Sequence, residues 1–464
     1  MLLDGFLENA LQFLYYAGVL ILSLSILVVL HELGHYLPAK WFGMRVEKFY
    51  LFFDWPRKLF SFKRGDTEWG VGVLPLGGYV KISGILDENM DKDTMSKAPE
   101  PWEFRAKPVW QRLIVMVGGV AMNLLLGIVI FIGLKYSFGD RRIPLEQLTY
   151  GIDVSPGSVA DDLGFKTGDR ILRVAGQQPR YLEDLNSANL FLGSNVKVEV
   201  DRAGQPVTIA IPNDYINKLV SGKRLKELIF RPNGPAVVEY AKEMPSPGWK
   251  ETVAYKAGLR EGDRILKIDT VSIGSFGEIR NALATRKGKT FPVEVQRGAE
   301  RLTLPVSMDD KGLLGIVMNL ETLLKPEEIQ YGLGESVVVG TGAAFTAIGD
   351  NIRGLGKVFK GEADASKSVA GPVKMGKILG DSLSNNGIYG FLSLLAMLSM
   401  VLAFMNILPI PALDGGHVVF LLIEAVTRRE PSLKTRMVVQ QIGMILLLGL
   451  TVLILVNDIF LSHL

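Results

Sequence analysis

The sequence predicts an α-helical polytopic membrane protein with four transmembrane helices, a membrane-associated β hairpin and two tandem β-rich domains outside the membrane. Three observations predict this fold: four long apolar runs, a Gly- and Pro-rich stretch between the first two, and an internal repeat between the second and third. Of the 464 residues, 48% are hydrophobic and 21% are charged. Part of the chain therefore lies in lipid, and a sizeable part lies outside it.

Each apolar run is long enough to cross a bilayer, which takes about 20 residues in a helix. The runs cover residues 11–37, 109–136, 388–408 and 438–456. We do not interpret the first run as a cleavable signal peptide, because it lacks a basic N-terminal region and leads directly into the sequence HELGH.

The basic residues predict the orientation of these spans. Residues 1–12 contain no Lys or Arg, whereas residues 40–107 and the loop 425–436 are rich in them. Because short basic loops stay on the inner side, we expect both termini and the long segment 140–386 to lie outside. The net charge of only +3 gives no support for nucleic-acid binding.

The internal repeat predicts two tandem domains. Residues 164–172 (GFKTGDRIL) recur as residues 258–266 (GLREGDRIL), and alternating apolar residues follow each block. This alternation is typical of short β-strands. The alternative is a pair of structural spacers.

Residues 334–360 predict an amphipathic helix. The helical spacing is shown by five apolar residues: Phe345, Ile348, Ile352, Leu355 and Phe359. Arg353, Lys357 and Lys360 lie on other faces. Such a helix either lies along the membrane surface or packs on the outer domains.

The sequence HELGH at residues 31–35 predicts a metal site. His31 and His35 are four residues apart, so both imidazoles share one face of a helix and reach the same ion. Glu32 lies close enough to take a proton from water, whose pKa zinc lowers to about 7. Ionisable groups at the end of an apolar span are costly in lipid, so we expect them to be functional.

A third ligand is needed, because catalytic zinc usually has three protein ligands and a water. The chain has no cysteine and four histidines, so His, Asp or Glu must supply it. Our candidate is Asp414 in the stretch NILPIPALDGGH, which ends the third apolar run. His417 is the alternative, but we favour Asp414, because a carboxylate in so apolar a setting depends more strongly on a bound cation than a histidine does. His463 is a poor candidate, since it is expected on the opposite side of the membrane.

Together, HELGH in the first span and NILPIPALDGG after the third resemble the site-2 protease family, and the resemblance covers nearly the whole chain. The repeats, with their common G-D-R-I-L core, are similar to PDZ domains. The resemblance implies an intramembrane zinc endopeptidase of the bacterial inner membrane that acts in regulated proteolysis during stress. It also implies single-span substrates already trimmed by another protease, including an anti-sigma factor and remnant signal peptides.

The resemblance also assigns roles to residues. It implies that His31, His35 and Asp414 bind Zn²⁺ and that Glu32 is the general base. The family pattern N-x-x-P-x-P implies substrate contacts for three residues of the stretch before Asp414: Asn406, Pro409 and Pro411. For Asn406 it implies that the side chain helps to position the substrate or stabilises the oxyanion. A further pattern of the second span, G-P-x-x-N, matches at Asn123, although Val120 replaces its proline.

Residues 69–81 (WGVGVLPLGGYVK) consist of short apolar β segments broken by Gly and Pro, and the resemblance implies that they form a hairpin that dips into the membrane. A substrate helix hides its peptide bonds in its own hydrogen bonds, whereas an exposed strand edge holds an unwound segment extended. We expect substrate contacts from Gly72, Val73, Leu74, Gly77 and Gly78. The alternative is a surface hairpin on the inner side.

The repeats differ in the loop where PDZ-like domains bind peptides. The second repeat has Leu314-Gly315-Ile316, whereas the first has Ile229 at the glycine position. We therefore favour a size gate that excludes substrates with bulky outer domains.

These interpretations divide the chain into eight segments. They are the first span (1–38), an inner segment with the hairpin (39–108), the second span (109–138), the two PDZ-like domains (139–232 and 233–322), the surface-helix region (323–386), the third span with LDGG (387–424) and the inner loop with the fourth span (425–464). Two other functions remain open, a non-catalytic PDZ-type membrane scaffold and a transporter. A transporter is disfavoured because the four spans contain no repeat.

Overall fold

The computed structural model of the chain describes residues 2–75, 77–85, 98–185, 193–215, 230–239, 252–309, 312–318, 323–362, 370–456 and 458. The chain forms two compact units. The first consists of Met1–Gly139, Gln330–Ile352 and Ser368–Leu464, and the second of Asp140–Ile329 and Arg353–Lys367.

The α-helices are, in chain order, α1 (Leu2–Trp41), α2 (Val109–Phe138), α3 (Val159–Asp162), α4 (Leu182–Leu185), α5 (Val253–Lys256), α6 (Phe276–Leu283), α7 (Leu333–Phe359), α8 (Pro372–Ile407), α9 (Asp414–Thr427) and α10 (Leu433–Val456). The strands are β1 (Val46–Leu51), β2 (Phe53–Arg64), β3 (Thr67–Leu74), β4 (Tyr79–Ile82), β5 (Asp140–Arg142), β6 (Ile152–Asp153), β7 (Arg170–Val174), β8 (Lys197–Arg202), β9 (Gln205–Ala210), β10 (Arg231–Pro232), β11 (Arg264–Ile268), β12 (Val271–Ser272), β13 (Thr290–Arg297), β14 (Glu300–Ser307) and β15 (Glu327–Ile329).

Among the described residues, four helices are long and apolar enough to cross a membrane: α1, α2, α8 and α10. This confirms the four predicted spans. Helix α8 begins earlier than predicted, at Pro372, but its backbone breaks at Gly387 (φ 58°). The predicted third span therefore corresponds to the part of α8 that follows this break.

Helices α1, α2 and α8 pack on one another in the first unit. Their contact is built from apolar side chains such as Val19, Leu27 and Leu395. Helix α9 packs on α2, where the buried Arg112 forms an ion pair with the partly buried Glu424. These contacts hold α1, α2 and α9 together, and the HELGH and LDGG sequences lie at the C-terminal end of α1 and the N-terminal end of α9.

A four-stranded sheet in the order β2-β3-β1-β4 follows α1. Strand β1 pairs with β3 in parallel and with β4 antiparallel. The predicted hairpin at 69–81 is therefore wrong in its pairing, because β3 and β4 both pair with β1 and not with each other. The two-stranded hairpin in this region is β2–β3, whose turn lies at Gly65 and Asp66. Strand β4 forms one edge of the sheet.

The second unit contains two separate hydrophobic cores. One surrounds the sheet β7-β8-β9, and the other surrounds the sheet β12-β11-β13-β14. The repeated G-D-R-I-L blocks have the same structure in both. Asp169 and Asp263 are buried at the start of β7 and β11, where Arg202 and Arg297 donate two hydrogen bonds to each carboxylate.

Helix α7 exposes Phe345, Ile352 and Phe359. Lys357, which the sequence pattern places on another face, is buried and donates a hydrogen bond of 2.7 Å to the carbonyl of Asn213. Burial lowers the pKa of Lys357 from its usual value. The C-terminal end of α7 thus packs on the first repeat.

Candidate metal centre

The two histidines of HELGH lie side by side near the C-terminal end of α1. Their Nε2 atoms are 3.2 Å apart, and the two rings meet edge to face. Helical spacing produces this approach, since residues i and i+4 lie one above the other. Two ring nitrogens are therefore aimed at a common point.

The carboxylate of Asp414 reaches the same point. Its Oδ2 lies 3.2 Å from Nε2 of His31 and 3.4 Å from Nε2 of His35. The three ligand atoms lie within 4.8 Å of one another. The Oδ2 atom is buried and has no hydrogen-bond partner, as expected for an oxygen reserved for a cation.

The chain reaches Asp414 through a tight return between α8 and α9. Two glycines permit it. A Cβ on Gly415 would overlap the carbonyl oxygens of Ile407 and Leu408, and a Cβ on Gly416 would lie 2.7 Å from the carbonyl oxygen of Ile410. The LDGG sequence is thus required for Asp414 to begin α9 beside α1.

Helix α2 closes the other side of the centre. Gly34 of α1 and Gly118 of α2 touch through their backbones, and a Cβ on Gly119 would lie 2.7 Å from a ring carbon of His31. Small residues allow this approach between helices in a membrane. The polypeptide backbone of α2 therefore packs directly on the imidazoles.

The hydrogen bond of His35 fixes its tautomer. Its Nδ1 lies 2.8 Å from the carbonyl oxygen of Val115. Because a carbonyl only accepts, Nδ1 carries the proton and Nε2 keeps its lone pair. A ligating histidine usually has this arrangement. Two imidazole nitrogens and one carboxylate oxygen fit zinc, which takes three protein ligands at a catalytic site.

Glu32 is buried next to the histidines and beside the segment that joins β3 to β4. A Cβ on Gly78 would lie 2.6 Å from Val28 and 3.7 Å from Cγ of Glu32. Only glycine fits at this position. The structure thus brings Gly78 to the predicted base.

The other predicted contacts occupy the two segments that lead to this centre. Gly72, Val73 and Leu74 form the end of β3, where Gly72 faces the backbone of Phe53 on β2. Gly77 follows with a φ of 152°. Residue 76 lies outside the described residues.

The second of these segments precedes Asp414. Asn406 is the penultimate residue of α8, and Pro409 lies in the return that follows. Pro411 packs on Gly443 of α10. His417, the alternative ligand, is not one of the three converging residues, and its Nε2 is 3.0 Å from Nε2 of Gln440. His463 lies outside the described residues.

Sequence reasoning singled out Asn123 of α2 by its match to G-P-x-x-N, but it missed the backbone contacts of α2 with the centre. Neither the carbonyl of Val115 nor the close approach of Gly118 follows from a motif of catalytic residues. The signal in the sequence is the pair Gly118-Gly119 inside an apolar span, which is typical of close helix packing.

Membrane-length helices that hold two histidines, a carboxylate and a neighbouring glutamate are typical of a metal-dependent hydrolase embedded in the membrane. The chain belongs to peptidase family M50, which it matches over residues 19–450.

The chain is similar to named bacterial proteins over almost its entire length. It is 29% identical to a regulator of sigma E protease of Haemophilus influenzae, over 97% of this chain and 99% of the relative. It is 30% identical to a putative zinc metalloprotease of Neisseria meningitidis, over 95% and 97%. It is 28% identical to the regulator of sigma E protease of Salmonella typhimurium, over 97% and 99%. The chain is an intramembrane zinc metalloprotease, which confirms the predicted family, activity and cofactor.

Proposed function

We propose that His31, His35 and Asp414 are the zinc ligands of this protease and that Glu32 is its general base. The observation that carries the assignment is the convergence of three ligand atoms within 4.8 Å, one of them a buried carboxylate oxygen without a hydrogen-bond partner. When bound, zinc supplies Lewis acidity and lowers the pKa of water at the site to about 7.

The work of Glu32 is proton transfer. Its carboxylate takes a proton from the water that adds to the peptide carbonyl carbon, and it returns a proton to the amide nitrogen when the C–N bond breaks. The products are a carboxylic acid and an amine, which together hold both hydrogens of the water, and Glu32 ends as the carboxylate that it was at the start. Burial of Glu32 keeps other water away from this path. A positioned base of this kind contributes about 10²–10⁴-fold to the rate.

Substrate presentation is proposed for the two segments beside the centre. Residues 77–78 lead into β4, an edge strand that can pair with an extended segment, and Gly78 lies beside Glu32. Residues 72–74 belong to β3, which already pairs with β2 and β1, so they are proposed to contact the substrate without strand pairing. Asn406 lies at the end of α8, and Pro409 and Pro411 lie in the return that leads to Asp414. Substrate contacts there would be made next to the third ligand.

The two repeats are proposed to be PDZ-like domains with the predicted bounds 139–232 and 233–322. Their equivalent Asp–Arg pairs and separate cores support this division. In the second repeat, Gly315 has a φ of 82°, and a Cβ there would lie 2.5 Å from Cβ of Thr252. In the first repeat, residues 228 and 229 lie outside the described residues. We propose that the two repeats act as a size gate that excludes substrates with bulky outer domains.

The substrates are proposed to be single-span membrane proteins already trimmed by another protease. The names of the relatives favour a membrane-bound anti-sigma factor, and remnant signal peptides have the same form. We place both termini and the repeats on the periplasmic side of the bacterial inner membrane. The basic loops 40–107 and 425–436 support this orientation.

The test is cleavage in a defined bilayer. The purified chain is reconstituted with a single-span substrate, and the products are identified by mass spectrometry. We expect a cut inside the transmembrane segment that stops on treatment with a zinc chelator and returns with added zinc. A cut confined to the flanking loops, or one that the chelator leaves unchanged, would overturn the proposal.

A further inference from the structure

Asn123 of α2 lies behind His31 and is almost completely buried, with 1% of its surface exposed. Its side-chain nitrogen Nδ2 is 3.3 Å from Nδ1 of His31. Its side-chain oxygen Oδ1 is buried and has no hydrogen-bond partner. A buried amide oxygen without a partner is costly, by about 1–3 kcal/mol, so this one needs an explanation.

The amide orientation conflicts with metal binding. An amide nitrogen only donates, so this contact makes Nδ1 of His31 an acceptor. In a neutral imidazole the proton then lies on Nε2, which is the atom that faces His35 and Asp414. A protonated nitrogen has no lone pair to offer to a cation.

A rotation of the carboxamide by 180° removes both problems. It exchanges Oδ1 and Nδ2 and leaves the rest of the site in place. Oδ1 then accepts the Nδ1 proton of His31, the buried oxygen gains a partner, and Nε2 of His31 is free to bind a metal. His35 already has this arrangement through the carbonyl of Val115.

We infer that Asn123 is a positioning residue whose side-chain oxygen holds His31 in the tautomer that binds zinc. This inference rests on the proposed function, in which His31 is a ligand. Helix α2 then supplies the proton acceptor for both histidines, through the backbone of Val115 and, about two turns later, through the side chain of Asn123.

The backbone of Asn123 is itself fixed by the third span. The hydroxyl of Ser399, a buried residue of α8, donates a hydrogen bond of 2.7 Å to the carbonyl oxygen of Asn123. This bond ties α2 to the helix that leads to Asp414. The position of the amide is thereby determined from both sides of the centre.

The test compares zinc affinity in the full-length protein in detergent, measured by competition with a chromophoric chelator. Asn123→Leu removes the acceptor, and we expect zinc affinity to fall about 10–100-fold, as is usual when a partner of a ligating histidine is lost. Asn123→Asp keeps an oxygen in place, and we expect it to restore most of the affinity. Gln440→Leu is the matched control, because Gln440 forms the same kind of amide–histidine contact with His417 outside the centre.

Each outcome decides a different point. Unchanged affinity in Asn123→Leu, or equal losses in the Leu and Asp variants, would overturn the role of the oxygen as acceptor. If Asn123→Leu does not fold, the Asp variant alone decides, because a loss of more than about tenfold in it contradicts the inference. A His31→Ala variant that binds zinc as tightly as the unchanged chain would instead overturn the proposed ligand set.

Discussion

Gly34 of the first span and Gly118 of the second touch so closely that a Cβ on either would overlap the carbonyl oxygen of the other. This contact lies within the HELGH sequence itself. It brings α2 against both imidazoles and places the carbonyl of Val115 on His35. The glycine of HELGH is therefore a packing requirement of the metal centre.

Substitution of Gly34 by Ala is expected to separate α1 from α2 and to weaken zinc binding. Overpacking of this kind costs about 1–3 kcal/mol. Zinc content and thermal unfolding of the purified protein measure the effect. Gly18→Ala is the matched control on the same helix, since a Cβ there meets no atom within 4 Å. Equal behaviour of the two variants would contradict the packing argument.

Substitution of Glu32 by Gln is expected to stop cleavage without loss of zinc. The amide keeps the shape of the side chain but cannot take a proton, so we expect a loss of about 10²–10⁴-fold in the cleavage rate. Cleavage of a single-span substrate and zinc content are measured on the same sample. Glu8→Gln, at an exposed position of α1, is the control. A variant at Glu32 that cut at the normal rate would exclude this residue as the base.

Substitution of Asp414 by Ala is expected to remove zinc, because two histidines remain where three ligands are needed. His417→Ala is expected to retain it, since the converging ligand atoms belong to His31, His35 and Asp414, and His417 contacts Gln440. Metal analysis after gel filtration compares the two proteins. Retention of zinc by the first variant and loss by the second would reverse the ligand assignment.

Substitution of Gly78 by Val is expected to abolish cleavage while zinc stays bound. The added side chain collides with Val28 and with the carbonyl oxygen of Tyr50, which displaces the segment next to Glu32. Asp66→Ala, at the exposed turn of the β2–β3 hairpin, is the control for a general effect on the sheet. Normal cleavage by the Gly78 variant would separate this segment from substrate presentation.

The sequence by itself determined the features that depend on local pattern. Four runs of apolar residues specify four membrane-length helices, because span length follows from bilayer thickness. The spacing of His31 and His35 specifies a shared helix face. The repeated G-D-R-I-L blocks predict two similar substructures, whereas the arginine partners of their buried aspartates are seen only in the structure.

Only the tertiary structure decided which distant segments meet. It places β3 between β2 and β1, brings Gly78 to Glu32, and puts the carbonyl of Val115 and the amide of Asn123 behind the two histidines. The physical reason is that the periodicity of apolar residues indicates how long a helix or strand is and which of its faces is buried, but not which other element packs on that face. The partner depends on how closely two backbones approach, and here glycines far apart in the chain set that distance.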